Sequence, residues 1–156
     1  MEFNENVIYE PDCFAIRRMP AHSDHGYYAT GKEADGVESS FLTSLNGRWK
    51  FAYANNLAEV IEGFYRKDYD SSNWDEIMVP SSIQLFGYDK LQYVNSQYPW
   101  DGRQAVLPGE IPEEFNPVGS YVKYFEVPKS MENGPVYISF QGVESGMALW
   151  LNGHYV

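Results

Sequence analysis

The chain has 156 residues, the length of one domain, and a chain of this size buries roughly two-thirds of its unfolded surface, so a core is possible. Eleven Lys and Arg against 22 Asp and Glu give a formal net charge of -11. Phosphates and anionic lipids are held by basic side chains, so nucleic acid and membrane surfaces are excluded as partners.

Residues 1 to about 40 are irregular: Pro11, Pro20, Gly26, Gly31 and Gly36 interrupt any periodicity. Phe14, Tyr27 and Tyr28 favour an arm docked on a partner over a disordered tail, because disordered segments are poor in aromatics. The first twelve residues are acidic and lack an apolar core, so they do not read as a secretory signal. No apolar run approaches the roughly 20 residues of a membrane span. A cytoplasmic location is the expectation. Cys13 is the single cysteine, so no disulfide forms within the chain.

From Leu45 the pattern turns to strands. In Gly47 to Ala54, Trp49, Phe51 and Tyr53 alternate with Arg48, Lys50 and Ala52, which predicts a strand. A short helical turn is expected within Leu57 to Tyr65. Ile77 to Val79 reads as a short strand stopped by Pro80. Residues 86 to 118 carry many Gly, Pro and polar residues and read as a long structured loop. Gly119 to Val127 is expected to be a strand ended by Pro128. Val136, Ile138 and Phe140 alternate with Tyr137, Ser139 and Gln141, the pattern of a half-buried strand. Met147, Leu149 and Leu151 alternate with Ala148 and Trp150 and run into Asn152-Gly153, a strong hairpin signal. Short strands separated by turns point to an all-β, antiparallel β-sandwich. Three residues after Asn152-Gly153 make a poor return strand, so the natural chain is expected to continue; a short terminal arm that suffices is the alternative.

Six segments carry a family resemblance: Arg17 to His25, Ser44 to Phe51, Trp74 with Ile77 to Ser81, Gly87 to Asp89 with Tyr93 to Asn95 and Tyr98 to Trp100, Asn116 to Tyr121, and Phe140 to Ser145 with Leu149 to Gly153. In this order and spacing they resemble glycoside hydrolase family 2, its bacterial β-galactosidases in particular. The likeness covers nearly the whole chain. Many relatives carry Trp at the position of Ile83 and Pro near Leu91, so this sequence resembles a subgroup.

The resemblance implies a jelly-roll β-sandwich (galactose-binding-domain-like) over 41–156, truncated at its C-terminal end, preceded by an N-terminal arm over 1–40. Its parent would hydrolyse terminal β-D-galactosides with retention, using two glutamates on a downstream barrel, so no catalytic residue is assigned to this chain. Asn95 matches an asparagine that hydrogen-bonds the galactosyl group. A neutral amide offers donor and acceptor to sugar hydroxyls without perturbing nearby carboxylates. Tyr93, Tyr98, Trp100 and Asp101 complete the substrate-binding set. The galactoside would be shared with the barrel, and the full enzyme would be a homo-oligomer. Mg²⁺ and Na⁺ are implied for the parent; no cofactor or metal ligand is assigned to this chain.

Each residue also has a plainer reading. Asn95 is alternatively a loop asparagine bonded to backbone. Trp100 and Tyr98 fit anchors of a loop at least as well as stacking platforms for a sugar ring. Loop aspartates such as Asp89 and Asp101 commonly cap turns. His22 and His25, three apart around Asp24, are weak as a zinc pair. His154 reads as a strand residue. Glu110, Glu113 and Glu114 sit in a proline-rich loop and fit a solvated rim better than an acid/base pair. The rival functions are a stand-alone carbohydrate-binding module, a structural or interaction domain, and a β-glucuronidase or β-mannosidase of the same family.

Overall fold

Gly47–Ala54 forms β1, and the main sheet is built on it. In this computed structural model the described residues are 3–23, 25–36, 38–90, 100, 102, 104–107 and 109–156. Asp75–Val79 (β2) pairs antiparallel with the first half of β1, from Gly47↔Val79 to Phe51↔Asp75. Val118–Val122 (β3) pairs antiparallel with its second half, from Lys50↔Val122 to Ala54↔Val118. The strand order is therefore β2-β1-β3. Alternation along β1 places Phe51 in the core at 1% exposure, with Ile77 of β2 at 2%. On the other face Lys50 Nζ donates to Ser72 O (3.1 Å) and Trp74 O (3.4 Å) and pairs with Glu76. Pro80, which has no N–H to add to a ladder, follows β2 directly.

Trp150–Leu151 (β4) and His154–Tyr155 (β5) form the hairpin expected at Asn152-Gly153. Both turn residues have positive φ, 51° and 83°, as a two-residue type I′ turn requires. The Trp150 ring stacks on Tyr65 at 4.8 Å and meets Phe3 at 5.2 Å, while Phe64 and Trp74 lie 5.8 Å apart. These rings form a second apolar cluster beside the sheet residues. The turn expected within Leu57 to Tyr65 is a 3-10 turn over Leu57–Glu59, capped by Asn56, whose Oδ1 accepts from Glu59 N at 3.1 Å.

By its internal contacts the chain divides into two compact units. One comprises Met1–Ile16, Gly47–Lys123 and Ala148–Val156, and holds all five strands found among the described residues. The other comprises Arg17–Asn46 and Tyr124–Met147. In the second unit Thr30 caps the four-residue α-helix Gly31–Ala34. Glu33 Oε2 accepts from Ala29 N (3.0 Å) and Ser40 N (3.1 Å), bonds that hold its carboxyl below the usual carboxylate range.

Two sequence expectations are corrected. The strand expected over Gly119 to Val127 stops at Val122. Val136 to Phe140 makes no β-ladder among the described residues, and its residues are open to solvent, Tyr137 at 66%. Alternation states which side chains share a face, but a ladder also needs a neighbour to receive its backbone groups. The architecture is all-β with antiparallel pairing throughout, as the turn-punctuated short strands imply.

Candidate functional site

The stretch 91–99, outside the described residues, contains most of the candidate residues, and the described residues on either side of it are firmly held. On the N-terminal side, Ile83–Phe86 makes a 3-10 turn closed by Gly87, whose φ of 87° favours glycine and whose N–H donates to Gln84 O at 3.2 Å. Tyr88 then lays its ring 4.7 Å from Phe51 and 5.9 Å from Tyr53. Its hydroxyl donates to Asp75 Oδ2 at 2.5 Å. That bond, with burial and the Asp75 charge adding to it, pushes the Tyr88 phenol up to about 12. Asp89 follows with a left-handed backbone, φ 57°, and its Oδ2 accepts from Gln84 Nε2 at 3.2 Å. Among the described residues, Asp89 Oδ1 is buried and meets no hydrogen-bond donor. The Tyr53 phenol is raised, chiefly by burial and then by the negative charges of Asp89 and Glu59.

On the C-terminal side, the half-buried Trp100 donates its indole N–H to Phe115 O at 2.7 Å. Gln104 N donates to Trp100 O at 3.1 Å, and Gln104 Oε1 accepts from Glu114 N at 3.4 Å. Asn116 N donates to Asn55 O at 2.8 Å, and Asn56 Nδ2 to Glu114 O at 3.4 Å. Asn55 is itself fastened, its backbone N–H and Nδ2 both donating to Glu59 Oε2. Trp100 is thus tied through Phe115 and Asn116 to the C-terminal end of β1.

Of the candidate substrate-binding residues, Trp100 is described, and Asn95, Tyr93, Tyr98 and Asp101 lie outside the described residues. Glu110, Glu113 and Glu114 are exposed, and Glu110 Oε2 accepts from Leu107 N at 2.9 Å. His22 and His25 are exposed, with His22 Nδ1 2.9 Å from Pro20 O, and Cys13 is an exposed thiol. Among the described residues no three His, Cys, Asp or Glu side chains converge in a way that would hold a metal ion. No helix of the described residues is long and apolar enough to cross a membrane.

Sequence reasoning missed Asp75 and Gln84 as the groups that hold Tyr88 and Asp89. The Gly87-Tyr88-Asp89 motif marks the turn, but a bond between residues 13 apart leaves no local signature. Together Gln84, Tyr88, Asp89 and Tyr53 set amide, carboxylate and phenol groups beside aromatic rings. Polyhydroxylated ligands bind to surfaces with this mix of polar groups and flat apolar faces.

The description of glycosyl hydrolases family 2, sugar binding domain, matches residues 42–156. The chain belongs to this family. The family 2 domain is 52% identical to a β-galactosidase of Halalkalibacterium halodurans over all of this chain and 16% of that relative. It is 38% identical to a β-galactosidase of Streptococcus thermophilus over 97% of this chain and 15% of the relative. A β-galactosidase large subunit of Lactobacillus helveticus is 39% identical over the whole chain and 27% of its own length. The family 2 domain thus spans between 15% and 27% of the length of these relatives, and corresponds to the sugar-binding part of such proteins rather than to the whole.

Proposed function

We propose that this chain serves as the jelly-roll, galactose-binding-domain-like unit of a β-galactosidase that hydrolyses terminal β-D-galactosides with retention. The observation that carries this reading is the 52% identity, over the entire chain, to a protein named β-galactosidase. The same name among relatives at 38% and 39% identity favours it over β-glucuronidase and β-mannosidase. In this reading the domain occupies 41–156 and the arm 1–40 contributes to assembly of a homo-oligomer in the cytoplasm.

Retention requires two carboxyl groups about 5–5.5 Å apart, rigidly held around the glycosidic bond. In this reading both belong to a barrel outside this chain. The chain contributes binding: Asn95 gives its amide to the galactosyl hydroxyls, and Tyr93, Tyr98, Trp100 and Asp101 shape that edge of the pocket. Mg²⁺ and Na⁺ belong to the parent enzyme.

The test is Asn95→Ala in the complete polypeptide. A fall in kcat/KM for a nitrophenyl β-galactoside of at least about tenfold, with the melting temperature held, is expected for a lost hydrogen bond to bound sugar. Unchanged kinetics would reduce Asn95 to scaffold. Titrating the 156-residue chain alone with galactose separates this reading from a stand-alone binding module. One edge of a pocket makes few contacts, so no millimolar binding is expected.

A further inference from the structure

We infer that Asn133-Gly134 is a site of spontaneous covalent modification, at which the Asn133 amide is converted to a carboxylate by attack of the chain's own backbone, followed by water. The inference is independent of the β-galactosidase reading.

The sequence holds three Asn-Gly pairs: Asn46-Gly47, Asn133-Gly134 and Asn152-Gly153. Glycine has no Cβ to shield its peptide nitrogen and the freest backbone of any residue, so that nitrogen reaches the preceding asparagine side chain most easily. The glycine nitrogen gives up its proton to solvent and bonds to Asn Cγ. The Cγ–Nδ2 bond breaks, and Nδ2 leaves as ammonia. Water then opens the cyclic imide. Opening at Cγ leaves aspartate, and opening at the main-chain carbonyl leaves isoaspartate, with the backbone routed through Cβ. Nothing is oxidised or reduced, and water is the one co-reactant.

All three asparagines are exposed, so access to water does not separate them. Their backbones do. Ring closure rotates the asparagine Cα–C bond and carries the next peptide plane with it. Gly47 opens β1 opposite Val79, and Asn46 N donates to Ser44 Oγ at 3.2 Å. Asn152 and Gly153 sit in a turn with φ 51° and 83°, closed by the Leu151↔His154 pair and by Val156 N donating to Leu149 O at 2.9 Å. A Cβ on Gly153 would stand 3.6 Å from Lys67 N, so that peptide has backbone packed beside it. Both pairs must open locally before the ring can close. Asn133 instead follows the 3-10 turn Lys129–Met131, whose last bond is Glu132 N to Lys129 O at 3.3 Å. Gly134 has open space where a Cβ would stand, and the exposed stretch after it, Val136 to Phe140, makes no ladder among the described residues. Asn133-Gly134 therefore closes its ring without first breaking a ladder, adding a negative charge to a chain already at -11.

The experiment incubates the 156-residue chain in mildly alkaline buffer, with and without urea, and follows each Asn-Gly peptide by mass spectrometry. Isoaspartyl methyltransferase labelling identifies the isoaspartyl product. Without urea, Asn133 should convert at least about tenfold faster than Asn46 or Asn152, because a local opening that costs ~1.4 kcal/mol already slows those two by that factor. In urea the three rates should come within about twofold of one another, since unfolding removes the ladders that set them apart. Gly134→Ala, which puts a Cβ beside the attacking nitrogen, should slow conversion at Asn133 several-fold and leave the other two rates unchanged. Equal rates without urea overturn the inference, as does Asn46 or Asn152 converting first. An order that persists in urea also overturns it, by assigning the difference to neighbouring residues and not to the fold. So does an Asn133 rate indifferent to Gly134→Ala.

Discussion

The Tyr88 hydroxyl donates to Asp75 Oδ2 at 2.5 Å, tying the segment that follows Gly87 to the first residue of β2. The bond exists only while the phenol keeps its proton, and ionisation would place a phenolate against a carboxylate. The folded-state value near 12 lies above the ordinary 10, so the stabilisation from this pair is complete below about pH 10 and is lost as pH rises towards 12. Urea unfolding measured across that window should show falling stability in the parent chain. Tyr88→Phe should flatten this part of the alkaline dependence and remove a late-titrating phenol from the absorbance titration. A Tyr88→Phe profile parallel to the parent's would show that the bond does not persist in solution.

Phe51 is the centre of the sheet core: 1% exposed, 4.7 Å from the Tyr88 ring and 4.9 Å from the Tyr121 ring. Truncating a buried aromatic removes its burial and leaves a cavity that neighbours fill only in part, so Phe51→Ala should cost about 3–5 kcal/mol. Ile77→Val, which removes one methylene from the adjoining strand, should cost only about 0.5–1.5 kcal/mol. Denaturant midpoints give both values, and equal effects would contradict the placement of the core.

Gly153 and Gly134 make a matched pair. Gly153 has φ +83° in the hairpin turn, while Gly134 has room for a Cβ and no left-handed backbone. Gly153→Ala should destabilise by about 1 kcal/mol or more through backbone strain, and Gly134→Ala should stay within about 0.5 kcal/mol of the parent. Thermal unfolding of the two variants side by side checks the type I′ turn.

Lys50 brings one ammonium group to two backbone carbonyls and to Glu76 Oε1 at 3.2 Å. Lys50→Met should cost about 1 kcal/mol, chiefly by taking the donor from the part-buried Trp74 carbonyl, since water can reach the exposed Ser72 carbonyl. Glu76 is held below its ordinary 4.5, first by the hydrogen bond from Lys50, then by its charge, with Arg48 adding less. A lowered folded value means that its contribution is present above about pH 4.5 and lost as pH falls through the folded value. Glu76 faces solvent, so the effect is small and fades with salt. Comparing Glu76→Gln with the parent in acid unfolding at low and high salt measures it.

Strong local signals carried over into the fold. The alternation of Trp49, Phe51 and Tyr53 names β1 with its observed bounds, and Asn152-Gly153 names the closing hairpin, because each is decided by side-chain period or by backbone φ within a few residues. Val136 to Phe140 has an equally clear alternation and makes no ladder among the described residues. The candidate site was legible in part: the Gly87-Tyr88-Asp89 motif and Trp100 stood out, whereas Asp75, Gln84 and Phe115 did not. The last three matter for which atom they hold, and residue type says nothing of that.

By itself, then, the order of amino acids determined the all-β class, the central strand, the final turn and the family. Those depend on periodicity, on glycine's access to positive φ, and on motif spacing. Only the tertiary structure decided that β1 is shared between β2 and β3, that Phe3 reaches the Trp150 ring, and that Trp100 gives its N–H to Phe115. Each of these joins residues distant in the chain, and such contacts form when burial and unsatisfied backbone groups select one partner among many of similar local character.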